Sequence, residues 1–351
     1  MILNMLDDRS RRVLRAVVES YINKPEPVGS RFVTKKYSFG FSPATIRNIM
    51  ADLEGIGFLS QPHTSAGRVP TDKGYRYYVD SLMNLENAPG SSEVSREFIN
   101  QFSKRLEQIK DDISGIFSEV TSTLSSISNY VSIALPPRTE RATLNRINFI
   151  RYKGDHAVAI LLTDEGIIKN RILKIDPIVK QEDLNRIADY LNSEYAGYAL
   201  DEIRSMLVKS MKRDKAQWDK LIAKAINIFE QALSFTEEDV FVSGLDDAMN
   251  LPDFSDISKI RELSKAIKDK HVIIKLLDEF SEAEGVQVVI GNENPVNELK
   301  GLSVLASTYK EGNRPMGIIA LIGPTRMNYS KAISIVDVIA KCVGRTFDDR
   351  K

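Results

Sequence analysis

Arg47 and Asn48 stand side by side in the run Ser42-Pro43-Ala44-Thr45-Ile46-Arg47-Asn48. They are the two side-chain types that can bond bidentately to the major-groove edges of guanine and adenine. At 3.6 residues per turn, Ala44, Arg47, Asn48 and Ala51 share one helix face, with Thr45 and Asp52 on its flank. The small residues on that face let such a helix sit deep in a groove. A second candidate cluster is the polar run Pro62-His63-Thr64-Ser65-Ala66-Gly67-Arg68. There Thr64, Ser65, Gly67 and Arg68 form a small-residue tip that can approach phosphates or enter a minor groove. His63 is read as a turn residue of that loop. Arg31, Lys35 and Lys36 are expected to serve the DNA backbone electrostatically, and Ser42 and Thr45 to hold phosphates.

Charge is distributed to match. The chain of 351 residues is neutral overall, but residues 1–80 hold 12 Lys and Arg against 8 Asp and Glu, a net +4 that the remainder cancels. Other chemistry finds no purchase. The sequence has no P-loop, no G-x-G-x-x-G after a strand, no H-E-x-x-H and no Cys–His nucleophile pair, while His156 and His271 stand alone. An enzyme fused to a DNA-binding domain therefore lacks its catalytic constellation, and neither a cofactor nor a metal is expected. The single cysteine, Cys342, permits no intramolecular disulfide and no thiolate zinc cluster, and reads as a small core residue. No signal-peptide pattern opens the chain and no run of about 18 apolar residues could span a bilayer, so no membrane is expected and the cytoplasm is the expected location.

The elements that must carry these residues follow from periodicity and punctuation. Leu14, Val17, Val18, Tyr21 and Ile22 predict a helix over residues 8–23, closed by Lys24-Pro25-Glu26-Pro27. A short helix from Ser30 to Tyr37 and a turn containing Gly40 precede a third helix from Pro43 to about Glu54, with Ser42 as its N-cap. Ile46, Ile49, Met50 and Leu53 give the third helix a core face opposite Arg47. Two helices across a short Gly-containing turn make a helix-turn-helix, and the following strand, polar loop and Thr71-capped helix make a wing. Asn87 to Ser92 is a plausible linker.

Beyond it, apolar positions from Phe98 to Val131 predict one long amphipathic helix, limited by Pro136-Pro137. Runs at 144–151, 157–162 and 167–175 read as an antiparallel meander. Helices are expected at 180–193, 199–211 and 215–233. The final stretch reads as helices near 257–269 and 272–284, strands at 286–290, 303–309 and 316–322, and a terminal helix over 329–347. The fold class is α+β.

The run from Ser42 to Asn48, and the longer one from Pro62-His63-Thr64-Ser65-Ala66-Gly67-Arg68 through Val69-Pro70-Thr71-Asp72-Lys73-Gly74-Tyr75-Arg76, closely resemble the heat-inducible transcription repressor HrcA family. The rest of the chain matches that family in length and element order, without a comparably sharp motif. The resemblance implies a winged-helix DNA-binding domain at 1–86 and a GAF-like α+β domain at 92–140 and 236–351, interrupted by an inserted α/β dimerisation domain at 141–235. It implies a homodimer on double-stranded DNA carrying an inverted-repeat operator, CIRCE, ahead of chaperone operons, with activity maintained by the GroEL/GroES chaperonin. The alternative is a winged-helix regulator controlled by a small-molecule effector bound to its GAF-like domain.

Overall fold

The computed structural model describes residues 6–84, 94–137, 142–206 and 240–348, apart from 111, 165, 167, 201, 204, 255–256 and 282–283. These residues form two compact units. One comprises 1–108, 118–134 and 241–348, and the other is built mainly from 135–240. Both mix helix and sheet, as an α+β chain requires.

The first unit begins with α1 (Asp8–Asn23), α2 (Ser30–Lys36) and α3 (Pro43–Gly55). Asp7 caps α1 by accepting the Ser10 N–H at 2.8 Å, and Val13, Leu14, Val17 and Val18 bury its inner stripe. Strands β1 (Leu59–Ser60) and β2 (Val69–Pro70) pair antiparallel, and α4 (Asp72–Met83) follows. Thr71 caps α4 while its hydroxyl donates to the Gly57 carbonyl at 2.7 Å, joining this helix to the end of α3. Gly74 makes the junction possible, since a Cβ there would lie 2.3 Å from the Phe58 carbonyl oxygen.

The expected long helix over 98–131 is two helices and a strand: α5 (Arg96–Gln108), α6 (Ile113–Ser128) and β3 (Val131–Leu135). The apolar spacing continues across the break, but the backbone does not. Asp112 donates its N–H to Ile109 in a turn and then accepts the Ile116 N–H to start α6. Asn129 ends α6 in the left-handed region at φ 58°, which asparagine tolerates better than most side chains. Periodicity alone reads through both devices.

The second unit holds β4 (Leu144–Arg151), β5 (His156–Thr163) and β6 (Ile168–Lys174), an antiparallel meander in sequence order, and α7 (Gln181–Tyr195). Leu144, Ile147, Phe149, Ala159, Leu161 and Leu173 pack on Leu184, Ile187 and Leu191 of α7. The opposite face exposes Ile150, Ile168 and Ile172. The helices expected over 199–211 and 215–233 lie largely or wholly outside the described residues.

The chain then returns to the first unit as β7 (Phe241–Ser243), α8 (Leu245–Met249), α9 (Ile257–Lys268), α10 (Lys270–Asp278), β8 (Val286–Ile290), β9 (Leu302–Glu311), β10 (Arg314–Pro324) and α11 (Tyr329–Asp348). The strand order of its sheet is β7-β3-β10-β9-β8. Neither β3 nor the short β7, paired antiparallel over Ser132–Ser243 to Ala134–Phe241, is foreseen by the sequence. Helix α11 packs on β9 and on α5, and buries Cys342 as a core residue. Among the described residues no helix is long and apolar enough to cross a membrane.

Candidate nucleic-acid interface

Helix α3 sets the site. Its N-cap Ser42 accepts the Thr45 N–H at 3.1 Å, and the two hydroxyls share a 2.9 Å hydrogen bond. Both hydroxyls, expected at phosphates, are thus engaged in starting the helix. Ile46, Met50 and Leu53 are buried, which turns Ala44, Arg47, Asn48 and Ala51 out to solvent. Among the described residues no hydrogen bond or ion pair engages the Arg47 or Asn48 side chain. Their donors and acceptors are available to an incoming surface.

Arg31, Lys35 and Lys36 on α2 are likewise exposed. The Lys36 ammonium stands 5.2 Å from the centre of the Tyr37 ring and 5.6 Å from that of Phe32. In the loop between β1 and β2, Thr64 and Ser65 are exposed, whereas Gly67 and Arg68 are partly buried. Arg68 exchanges both backbone hydrogen bonds with Val28 at 2.9 Å, and its guanidinium meets Glu54 of α3 at 2.7 Å. Gly67 is needed for that approach, because a Cβ there would lie 2.4 Å from the Val28 carbonyl carbon and oxygen. His63 supports the loop through its carbonyl, which accepts the Ala66 N–H at 2.8 Å.

Three residues the sequence reading passed over build this geometry. Gln61 donates to the Thr64 and Ala66 carbonyls at 2.9 Å each and so braces the loop from inside. Its place at the loop's edge was the available signal. Glu54 and Val28 gave none, since their contacts join segments distant in the chain.

The α1–α4 module is also tied to the five-stranded sheet. Arg76 of α4 donates to the Val288 carbonyl at 2.7 Å and is ion-paired with Glu293, while the Asp72 carboxylate accepts the Asn292 N–H at 3.0 Å. Arg326 donates to the Ile22 carbonyl at 3.0 Å and pairs with Asp253 at 2.7 Å. Between these anchors the Tyr75 and Tyr329 rings meet at 5.9 Å, and burial pushes both hydroxyls far above their ordinary range. A neutral, packed seam with charged pairs at its edges fixes where α3 points.

Comparison with known proteins decides the family. Residues 114–333 match the family model of the HrcA protein C-terminal domain. A heat-inducible transcription repressor HrcA from Thermodesulfovibrio yellowstonii is 49% identical over 98% of this chain and 99% of its own length. The chain belongs to the HrcA family. The HrcA of Geobacter sulfurreducens is 40% identical, with 98% of each chain covered. A crystal structure of a hypothetical protein at 2.2 Å resolution shares this HrcA-family fold with a TM-score of 0.62 and 25% identity, covering 99% of this chain and 100% of its own. The HrcA relatives are named as heat-inducible transcription repressors, a regulatory and non-enzymatic role.

Proposed function

We propose that this chain is a winged helix-turn-helix repressor of chaperone operons that binds an inverted-repeat operator of the CIRCE type as a homodimer. The observation that carries the reading is the Arg47–Asn48 pair, exposed and unengaged on α3 within a helix–turn–helix–hairpin module. Arg47 and Asn48 read base edges, Ala44 and Ala51 allow close approach, and Arg31, Lys35 and Lys36 meet phosphates. Thr64 and Ser65 form the loop tip that reaches the flanking backbone or minor groove. The five-stranded sheet with α5 and α11 supports a GAF-like domain, and the β4–β6 unit supports an inserted dimerisation domain. An inverted repeat calls for two heads about a two-fold axis. The aliphatic sheet face at Ile150, Ile168 and Ile172 is where a second copy covers apolar surface. The chaperonin GroEL/GroES maintains the active fold, and the protein works in the cytoplasm.

Fluorescence anisotropy on a duplex carrying the inverted repeat tests this. Tight binding of one dimer, much weaker binding to a single half-site, and strong salt dependence are expected. Equal affinity for operator and scrambled duplex removes the reading. After mild heating, operator binding should recover further with GroEL/GroES than without it, and equal recovery removes the chaperonin from the mechanism.

A further inference from the structure

The extended segment between α2 and α3 carries three aromatic rings at alternate positions, Tyr37, Phe39 and Phe41, and a cation stands over each. Lys36 lies over Tyr37 at 5.2 Å, Arg12 over Phe39 at 4.8 Å and Arg9 over Phe41 at 5.6 Å. The rings also contact one another, Tyr37 with Phe39 at 5.5 Å and Phe39 with Phe41 at 6.3 Å. Tyr37 is tied to α1 as well, through a 3.2 Å hydrogen bond with Ser20. The ladder therefore starts on the body of α1 and ends at Phe41, the residue before the Ser42 cap of α3.

Arg9 and Arg12 come from α1, and both are exposed. Among the described residues neither has an ion pair, whereas Arg15 on the same helix is paired with Glu19 at 2.7 Å. The nearby Asp7 carboxylate accepts the Ser10 N–H as the cap of α1. A guanidinium stacked on a ring uses its face and keeps its N–H edge free, so stacking orients the fork without consuming it. The rings hold two such forks beside the N-terminus of α3. In helix-turn-helix docking that end of the helix enters the major groove, and a groove about 12 Å wide brings the flanking phosphates alongside.

We infer that Arg9 and Arg12, oriented by Phe41 and Phe39, clamp DNA phosphates bordering the groove that α3 enters; the inference rests on the DNA-binding reading above. It adds two cations from α1 to the backbone contacts assigned to α2. Phosphate contacts carry no sequence information of their own, so the clamp contributes affinity and register rather than base choice.

The test measures affinity against salt for the full-length wild type, Arg9→Gln/Arg12→Gln, Arg9→Lys/Arg12→Lys and Arg15→Gln, each on operator and on scrambled duplex. The Gln pair should lose affinity for both duplexes by about tenfold near 0.1 M salt, with the logarithmic salt slope reduced by nearly 2 and the operator preference unchanged. The Lys pair should recover most of the slope, and Arg15→Gln should match the wild type. Should the Gln pair be poorly folded by circular dichroism, the Lys pair against wild type decides: an intact slope supports the clamp and a slope lowered as by two lost contacts overturns it. An unchanged slope and affinity in a folded Gln pair overturns the clamp and leaves the DNA reading standing. Loss confined to operator overturns the phosphate assignment, and failure of the wild type to bind either duplex overturns both readings.

Discussion

Arg68, in the loop between β1 and β2, is held by Glu54 of α3 at 2.7 Å. The loop and the helix that presents Arg47 are therefore one mechanical piece. The side chain of Arg68 is 17% exposed and that of Glu54 33%, and the Arg68 Nε is buried without a hydrogen-bond partner. A residue expected at a phosphate or in the minor groove thus spends its charge on positioning the loop in the free protein.

The first prediction follows directly. Arg68→Ala should cost about 1–2 kcal/mol of stability in the N-terminal module, below the value for a fully buried pair because Glu54 keeps part of its surface in water. Hydrogen exchange at the Val28 and Arg68 amides should accelerate. If exchange and melting are unchanged while the salt dependence of DNA binding falls, Arg68 is a phosphate contact and not a brace.

The recognition face was legible because a single helix encodes it. Ser42, Pro43 and the spacing of Ile46, Met50 and Leu53 fix both the start of α3 and the direction of Arg47. The loop was legible only in its location. The roles of Gly67 and Arg68 depend on Val28 and Glu54, and no local pattern records contacts made through the third dimension. For the same reason periodicity extended a helix through Asp112 and Asn129 to Val131, where turn geometry overrides a continuing apolar stripe. Helix α1 and strands β4 and β8 were readable to their ends or nearly so, since their caps, prolines and alternation lie within the segments themselves.

Gly67→Ala should displace the loop. A Cβ at Gly67 would stand 2.4 Å from Val28 backbone atoms, so the Val28–Arg68 bridge must open. Operator affinity is expected to fall at least several-fold while the five-stranded sheet keeps its exchange protection. Affinity and Val28 protection equal to the wild type would show that the backbone yields without consequence.

Glu293→Ala removes the carboxylate that faces Arg76 and leaves the Val288 carbonyl as its main partner. A stability loss of about 1 kcal/mol is expected, with faster exchange concentrated in α4 and the residues around Asn292. Uniform exchange across the unit, or none, would mean that this edge does not set how firmly the module is seated.

Replacing Ile172 by Asp places a charge on the exposed face of the β4–β6 sheet, where Ile172 is 60% and Ile168 66% exposed. The monomer should be little changed in stability, because the side chain faces solvent there. Sedimentation at micromolar concentration should show the wild type as a dimer and the variant shifted toward monomer. A variant that dimerises as the wild type does would move the self-association surface away from this sheet.

The most direct measurement is the discrimination between operator and scrambled duplex by wild type, Arg47→Ala and Asn48→Ala at one fixed salt concentration. Each substitution should reduce discrimination by about 1–3 kcal/mol, at distinct base pairs, with binding to the scrambled duplex much less affected. Unchanged preference in both variants would contradict the assignment of α3 as the reading helix.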